Sequence, residues 1–321
     1  METETKAPET LLQAVRYFAD PAVCLNFVAA LRWPDGVRCP TCGSDKVAFL
    51  ATRQLWKCAT VHERQQFSVK VGTIFEESRL GLDKWLPAMW MVVNCKNGVS
   101  SYEIARALGI TQKSAWFMAH RIRLAMQTGT FKRMSGSVEV DETFIGGAAR
   151  FMHANKRREK IKARGPMGKA AVMGLIERHG KKGYSRVHLR VVEDVGQETL
   201  QGEVCKRVEL GSNIYSDAHG GYEGLKFAYE HGVIDHAEKY VEGQIHTNGL
   251  ENFWSLLKRA IKGTYVSVEP FHLFRYLDEQ MIRFNQRMMN DGERFLELVK
   301  GVVGKRLTYK GLTGSEVAGT T

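Results

Sequence analysis

The chain has 321 residues, a length that predicts two or three packed units rather than one ordinary domain. Hydrophobic residues make up 44% and charged residues 25%, a composition that can build cores and argues against a disordered chain. Lysine and arginine outnumber acidic residues by 46 to 35, so the formal net charge of +11 favours a polyanionic partner, above all nucleic acid.

The sequence also disfavours a membrane protein and a secreted protein. The chain has no apolar run close to the roughly 20 residues that a membrane-spanning helix needs. The first nine residues are polar and partly acidic, so we expect no signal peptide. Six cysteines are too few for a disulfide scaffold of this length. We therefore expect a cytoplasmic protein with no membrane partner.

The N-terminal third begins with apolar residues at helical spacing, and Asp20-Pro21 is typical of a helix start. A segment rich in cysteine, glycine and β-branched residues follows and predicts a small β unit. Its cysteines and histidine have the spacing of a zinc ribbon, which predicts one structural Zn²⁺. The predicted ligands are Cys39, Cys42, Cys58 and His62. The alternative is that Cys58 is a core thiol and His62 a surface residue.

A candidate helix-turn-helix follows the ribbon. Ala105 suits a close contact of two helices, Gly109 allows a left-handed turn, and Thr111 can cap the second helix. The side chains of this second helix that we expect to be exposed suit phosphates and base edges of DNA. They are Gln112, Lys113, Arg121 and Arg123. An ordinary helical hairpin is the alternative.

The remainder of the chain has strand-like runs first and helical runs later, which predicts an α/β or α+β domain. The predicted strands are Ser137–Ile145, Ala170–Glu177, Val187–Val192 and Asn213–Ser216. The predicted helices are Glu198–Val208, Leu250–Lys262 and Pro270–Gln286. We expect the chain to be frayed from Gly311 onward.

The segment from Arg150 to Lys169 is strongly basic and carries Gly165-Pro166 near its end, which predicts a loop between two strands. Such a loop suits contacts with the DNA backbone, since phosphate contacts need only reach and charge. The residues predicted to make them are Lys156, Arg157 and Arg158. The alternative is a solvated loop.

Three acidic residues occupy unusual places in this part of the chain. Asp141 lies within an apolar strand, Asp217 ends another strand, and Glu251 falls in the first turns of a helix. Carboxylates are the ligands that Mg²⁺ prefers, and two such ions can act on a phosphodiester. Each residue alone has an ordinary explanation. Asp141 could contact a loop, Asp217 could cap a helix, and Glu251 could be a solvated side chain.

Three motifs resemble those of DDE transposases from small bacterial insertion sequences, in the group with an N-terminal zinc ribbon. They are Val140-Asp141-Glu-Thr-Phe-Ile-Gly-Gly, Ser216-Asp217-Ala-His-Gly-Gly-Tyr222 and His246-Thr-Asn-Gly-Leu-Glu251-Asn-Phe-Trp-Ser-Leu-Leu-Lys258-Arg259. The resemblance runs from about residue 15 to residue 290 and includes Phe67–Glu76 and Arg283–Arg287. The ribbon departs from the family pattern, because its last ligand would be His62 instead of a cysteine.

The resemblance implies a multidomain chain whose α/β catalytic domain is RNase H-like with a mixed sheet. Asp141, Asp217 and Glu251 would bind two Mg²⁺ or Mn²⁺ ions, and Lys258 would complete an acid-acid-acid-lysine signature. Asn248 is the alternative to Glu251 as third ligand, and Lys258 and Arg259 would contact DNA. The predicted domains are residues 1–33 (helical region), 34–78 (zinc ribbon), 79–132 (helix-turn-helix region), 133–295 (catalytic domain) and 296–321 (C-terminal tail).

The implied function is a transposase that binds terminal inverted repeats, cleaves DNA at the element's ends and joins the 3′ ends to target DNA. Because two ends must be joined, we expect at least a homodimer on DNA, associated with the bacterial nucleoid. Two alternatives stay open: a non-catalytic DNA-binding regulator derived from a transposase, and an RNase H-like nuclease that cuts without joining.

Overall fold

The computed structural model describes residues 8–127, 132–146, 168–178, 183–234 and 246–314. The chain divides into two compact units. Unit 1 comprises residues 1–128 together with 288–321, and unit 2 comprises residues 129–287.

The described α-helices are α1 (Leu11–Tyr17), α2 (Pro21–Arg32), α3 (Leu82–Asn94), α4 (Ser101–Leu108), α5 (Gln112–Met126), α6 (Gln197–Arg207), α7 (Asn248–Ala260), α8 (Leu273–Asn285), α9 (Asp291–Lys300) and α10 (Tyr309–Thr313). The described strands are β1 (Val47–Leu50), β2 (Leu55–Cys58), β3 (Gln66–Phe67), β4 (Ser137–Ile145), β5 (Ala170–Glu177), β6 (Arg186–Val192), β7 (Asn213–Asp217) and β8 (Glu230–Ile234). A π-helical turn follows α7 at Ile261–Tyr265, and 3-10 turns lie at Gly220–Phe227 and Pro270–His272.

Unit 1 is built around α3, whose mostly apolar sequence matches a helix that is buried on nearly every side. Phe295 on α9 packs in the same core, with its ring centroid 5.6 Å from that of Phe18 and 5.1 Å from that of Trp90. No single described helix is long and apolar enough to cross a membrane. Among the helices that the structure describes, only α1 and α2 taken together, across a bend of 105°, reach that length and composition.

The predicted boundary at residue 295 is wrong, because the chain returns to unit 1 from Met288 onward. Ile74 donates a backbone hydrogen bond to Val302 (3.1 Å), and Gly304 donates one to Gly72 (2.9 Å). The prediction of fraying from Gly311 is also wrong as far as the structure describes the tail, since Leu312 on α10 is fully buried. Aromatic and aliphatic side chains of this segment complete the core of unit 1.

The ribbon strands form an antiparallel sheet in the order β1-β2-β3. Trp56 on β2 lies between aromatic neighbours, 5.0 Å from Phe49 and 6.2 Å from Phe67 between ring centroids. Trp33, which follows α2, packs edge-on to Trp56 at 5.3 Å. These strands are very short, so few side chains hold the ribbon together.

Unit 2 contains a mixed five-stranded sheet of described strands in the order β6-β5-β4-β7-β8. The pairs β4–β5 and β5–β6 are antiparallel, whereas β4–β7 and β7–β8 are parallel. Strands β4 and β5 have the predicted bounds, and the other predicted strands and helices of this unit move by only a few residues. Strand β8 was missed, because Glu-His-Gly-Val-Ile has neither an apolar run nor a clear alternation.

Each face of this sheet packs against different helices, because successive side chains of a strand point to opposite faces. Val138 and Val140 join a core with α6 and the Gly220–Phe227 turn. The other face packs against α7 and α8, through side chains such as Leu250 and Trp254.

The edge of the sheet at β6 is closed by the motif Arg283–Arg287. The Asn285 side chain accepts a hydrogen bond from Val187 N (2.7 Å) and donates one to Val187 O (2.9 Å). These two bonds pair the edge strand as the backbone of a neighbouring strand would. Arg283 pairs with the buried Glu279, and Arg287 donates to Ser185 O at 2.9 Å. This motif therefore attaches α8 to the edge of the sheet.

His188 on β6 predicts a pH dependence of stability. Burial, followed by the charges of Arg207 and Arg190, lowers the pKa of His188 to about 3, and Arg207 Nε donates to His188 Nε2 at 2.5 Å. The unfolded chain takes up a proton below pH 6.5 while the folded chain does not, so stability is fully present above that pH and is lost as pH falls. We expect the free energy of unfolding to drop by about 2 kcal/mol between pH 7 and pH 5 from this residue. Urea unfolding at both pH values measures it.

The matched variant is His188→Gln, which keeps an acceptor for Arg207 and cannot be protonated. Its free energy of unfolding should change by about 2 kcal/mol less over the same range. An equal change in the variant and the wild type would assign the pH dependence to other groups.

Candidate functional site

The predicted zinc ligands meet in the ribbon. One ligand atom from each of Cys39, Cys42, Cys58 and His62 lies within 4.8 Å of every other. Cys39 Sγ is 3.3 Å from His62 Nε2, and Cys42 Sγ is 3.6 Å from Cys58 Sγ. A tetrahedral ion with Zn–S bonds of about 2.3 Å separates its sulfur ligands by about 3.8 Å, which this cluster matches.

Local structure explains how the four residues are brought together. Cys39 and Cys42 lie on a turn closed by a hydrogen bond from Gly43 N to Cys39 O (2.9 Å), where Gly43 has a φ of 74°. Cys58 ends β2, and His62 follows in the next turn. Burial opposes ionisation of Cys58, but hydrogen bonds from His62 and the Thr60 backbone outweigh it and lower the pKa of the thiol to about 6. A thiol that ionises readily is a good zinc ligand, so this donor set fits the ion.

In unit 2, Asp141 points to the face of the sheet that carries α7. Its Oδ2 accepts a hydrogen bond from Trp254 Nε1 (2.7 Å), and its Oδ1 accepts one from Glu142 N (2.8 Å). Burial of the carboxyl group is the main cause that raises the pKa of Asp141 to about 7. The charges of Glu142 and Asp217 add to the rise, and the bond from Trp254 opposes it.

Asp217 is brought beside Asp141 by the parallel pairing of β4 and β7. The register ends with the pair Glu139 and Tyr215, and Asp141 and Asp217 follow two residues further along each strand, on the same face. Asp217 Oδ1 also accepts a hydrogen bond from His219 N at 3.2 Å. Its side chain is therefore oriented by the turn that follows β7.

Glu251 is an exposed residue in the first turn of α7, and Thr247 Oγ1 donates to its Oε1 at 3.4 Å. Asn248, the alternative ligand, is the first residue of the same helix. The oxygens of Asp141, Asp217 and Glu251 do not gather within 4.8 Å of one another, since the cysteine–histidine cluster is the only such group among the described residues. The repulsion between Asp141 and Asp217 nevertheless fits a site for divalent cations, which would neutralise it.

Glu142 is an acidic neighbour of Asp141 that was not among the predicted site residues. It points to the opposite face of β4, where its Oε2 accepts a hydrogen bond from Tyr222 OH (2.7 Å) and its Oε1 is 3.9 Å from His219 Nε2. Burial and the charge of Asp217 raise the pKa of Glu142, against the effect of Tyr222. In the sequence, Glu142 stands out only by its position directly after Asp141. The alternation of side chains along a strand does not show whether Glu142 belongs to the same site as Asp141.

Helix α7 has a buried apolar stripe that continues into the π-helical turn after it. Leu250, Phe253, Leu257 and Ile261 are buried, and Trp254 is buried with them. Lys258 and Arg259 are exposed on the same helix. Helical spacing places Lys258 almost two turns beyond Glu251, about 10 Å along the axis.

Helices α4 and α5 have the local geometry expected at the candidate helix-turn-helix. Gly109 ends α4 in the left-handed conformation (φ 63°), and Thr111 caps α5 by accepting a hydrogen bond from Ser114 N. Gln112 Nε2 donates to Ser101 Oγ at 2.9 Å. Lys113 is exposed and lies over the ring of Tyr309 on α10, with its Nζ 4.8 Å from the centroid.

The prediction that Arg121 and Arg123 are exposed is wrong, since they are 3% and 2% exposed. The second half of α5 is covered by unit 1 on all sides. A buried guanidinium needs acceptors, and Arg121 donates to three backbone carbonyls. They are those of Leu307 (2.9 Å), Ile74 (2.9 Å) and Glu76 (2.8 Å). Arg121 thus joins the returning C-terminal segment to α5 and has no surface for DNA.

The predicted contacts Lys156, Arg157 and Arg158 lie outside the residues that the structure describes, as does most of the basic segment around them.

Two protein families match successive parts of the chain. The family described as a transposase zinc-ribbon domain matches residues 20–60, and the ISXO2-like transposase domain matches residues 133–285. The chain is also 22% identical over 258 residues to an uncharacterized protein in the transposable element ISH50 of Halobacterium salinarum, covering 77% of this chain and 85% of that protein. The first match contains three of the four zinc ligands, and the second contains all three acidic residues. The chain therefore belongs to the insertion-sequence transposases that carry a zinc ribbon and an ISXO2-like transposase domain.

Proposed function

We propose that unit 2 is an RNase H-like catalytic domain that cleaves DNA at the ends of an insertion element and joins the 3′ ends to target DNA. The observation that carries this proposal is that Asp141 and Asp217 follow the paired residues Glu139 and Tyr215 on neighbouring parallel strands. Asp141 is also hydrogen-bonded to Trp254 on the helix whose first turn carries Glu251. The order of an antiparallel β6-β5-β4 followed by parallel β7 and β8 agrees with such a fold.

In this mechanism, Asp141, Asp217 and Glu251 would hold two Mg²⁺ or Mn²⁺ ions, with Asn248 as the alternative to Glu251. The ions supply activation of a nucleophile and stabilisation of the leaving oxygen. Water first breaks a phosphodiester at the element's end and frees a 3′ hydroxyl. That hydroxyl then attacks a phosphodiester of target DNA, which forms one new bond and releases one strand end. Trp254 orients Asp141 through its indole N–H throughout.

Unit 1 is proposed to bind the terminal inverted repeats. Its zinc ribbon and the start of α5 supply the surface, and Gln112 and Lys113 are the proposed contacts. Lys156, Arg157 and Arg158 remain proposed backbone contacts because of their charge alone. Joining two ends to one target requires at least two protomers on the DNA.

The experiment uses the full chain with DNA that carries the element's own ends, a target plasmid and Mg²⁺ or Mn²⁺, followed by sequencing of the products. Insertion of 3′ ends into the target supports the proposal. Nicked ends without insertion would favour a nuclease. Binding without any cleavage would favour a regulator.

Lys258 gives a specific prediction for this site. Its position on α7 beyond Glu251 suits a contact with a phosphate of the DNA end, and it is too far along the helix to be a ligand of the same ion. We expect Lys258→Ala to slow end joining roughly 10- to 100-fold, the scale of losing one or two charge-assisted contacts. Lys258→Arg should restore part of the rate, because its planar guanidinium places the charge differently.

The control is Lys226→Ala, which removes a lysine from the Gly220–Phe227 turn on the other face of the sheet. It should join ends at the wild-type rate. Equal rates for Lys258→Ala and the wild type would make Lys258 a surface lysine without a role in the reaction.

A further inference from the structure

Glu139 is a buried acid that the reaction described above does not use. It lies on β4 two residues before Asp141, faces the same side of the sheet and is 1% exposed. Arg178, which follows β5, pairs with it at 2.6 Å between Nε and Oε1. A charge at this depth is costly unless it is paired and hydrogen-bonded, so the remaining oxygen needs a donor as well.

That donor is the start of α7. Glu139 Oε2 accepts a hydrogen bond from Leu250 N at 2.9 Å. The first amides of a helix have no partner within it, and Thr247, the residue before α7, makes no side-chain cap. Glu139 therefore caps the helix from a neighbouring strand, and its negative charge also suits the positive end of the helix dipole.

Arg178 holds the segment that leads into the helix. Its Nη2 donates to the backbone carbonyl of His246 and lies 2.8 Å from His246 Nδ1. Its guanidinium stacks on the ring of Tyr215 on β7, 4.4 Å from the centroid. The ion pair therefore connects β4, β7 and the beginning of α7.

Gly249 makes the approach of Glu139 possible. A Cβ at this position would lie 2.9 Å from both carboxylate oxygens of Glu139, closer than real contacts allow. Any larger residue would have to move the first turn of α7 or Glu139 itself. The glycine is needed for space, because its own backbone does not have a positive φ.

We propose that Glu139 and Arg178 are positioning residues, which hold the first turn of α7 so that Glu251 faces Asp141 and Asp217. This inference rests on the proposed function, since it assigns the pair a task at that site. Strand β4 then carries the metal ligand Asp141. Two residues before it, the same strand carries Glu139, which positions the ligand Glu251. Glu251 comes directly after Leu250, whose amide Glu139 binds.

The test uses two full-length variants. Gly249→Ala keeps the ion pair but forces the helix start away from Glu139, and alanine otherwise favours a helix. Glu139→Met combined with Arg178→Met replaces both buried charges by side chains of similar size, so neither charge is left unpaired. Gly263→Ala is the matched control, because a Cβ at Gly263 meets nothing within 4 Å.

Three measurements are made on each protein. Amide hydrogen exchange should be at least tenfold faster over residues 248–254 in both variants, with the exchange of β4 and β5 unchanged. The Mn²⁺ concentration for half-maximal cleavage of end-containing DNA should rise about tenfold, while binding of that DNA without metal keeps its wild-type Kd. Gly263→Ala should match the wild type in all three measurements.

Wild-type exchange over residues 248–254 in both variants would overturn the inference, whatever the enzymatic result. Faster exchange with an unchanged Mn²⁺ requirement would also overturn it, since the pair would then stabilise the helix without placing a ligand. Failure of the wild-type protein to cleave would contradict the proposed function instead, and the exchange data would still decide whether the pair holds the helix.

Discussion

Replacing Asp141 with asparagine is expected to lower metal-dependent cleavage and joining at least 1000-fold, about 4 kcal/mol of transition-state stabilisation. The variant loses a carboxylate ligand, while its amide oxygen can still accept the hydrogen bond from Trp254 Nε1. Cleavage and strand-transfer assays with end-containing DNA measure the effect. Binding of the same DNA by unit 1 should be unchanged.

The same substitution should not destabilise the fold. Burial and two neighbouring carboxylates raise the pKa of Asp141 to about 7, so its charged form is disfavoured in the folded chain. Removing that charge should raise the free energy of unfolding by about 1–3 kcal/mol at pH 8 in EDTA. A loss of activity together with an equal or higher stability is the expected signature of a metal ligand, and a lower stability would argue for a structural role.

Asp217→Asn should lose activity to a similar extent, and Glu142→Gln is the matched control. Glu142 is the next carboxylate along β4, but it points to the other face and binds Tyr222. We expect Glu142→Gln to keep activity within about tenfold of the wild type. If Glu142→Gln were inactive and Asp141→Asn active, the ligand would be Glu142.

Removal of zinc is the second change with a large expected effect. We expect one tightly bound zinc per chain, and chelation should unfold the ribbon and weaken binding of the element's ends more than tenfold. The reason is that β1, β2 and β3 are very short, so their few aromatic contacts cannot hold the fold without the metal. Unit 2 has its own sheet and two cores and should stay folded. Metal analysis and binding assays before and after chelation measure these effects.

Variants of single ligands sharpen this prediction. Cys58→Ser should lose zinc, whereas Cys205→Ser, at an exposed cysteine outside the cluster, should keep it. His62→Cys should also keep zinc, because cysteine offers an equivalent ligand, while His62→Ala should bind it more weakly. Native protein purified without zinc would refute the site.

The sequence by itself determined the features that depend on local spacing. The cysteine and histidine spacing predicted a cluster that the structure brings together, because the turn at Cys39–Gly43 and the β2 hairpin are short-range elements. Strand β4 begins with alternating apolar and polar residues and β5 is a mostly apolar run, so their bounds could be predicted. The family motifs around Asp141, Asp217 and Glu251 were visible for the same reason.

Only the tertiary structure decided which side chains are buried and which distant segments meet. Nothing local distinguishes the buried Arg121 from an exposed helical arginine, because the carbonyls that it binds include Leu307, far along the chain. The return of residues 288–314 to unit 1 likewise depends on contacts such as Phe295 with Trp90. In the sequence, Glu139 resembles any acid in an alternating strand. Its hydrogen bond with the amide of Leu250 is visible only in the folded chain. Burial and hydrogen bonding between residues far apart in sequence are properties of the packed chain, so a linear pattern cannot contain them.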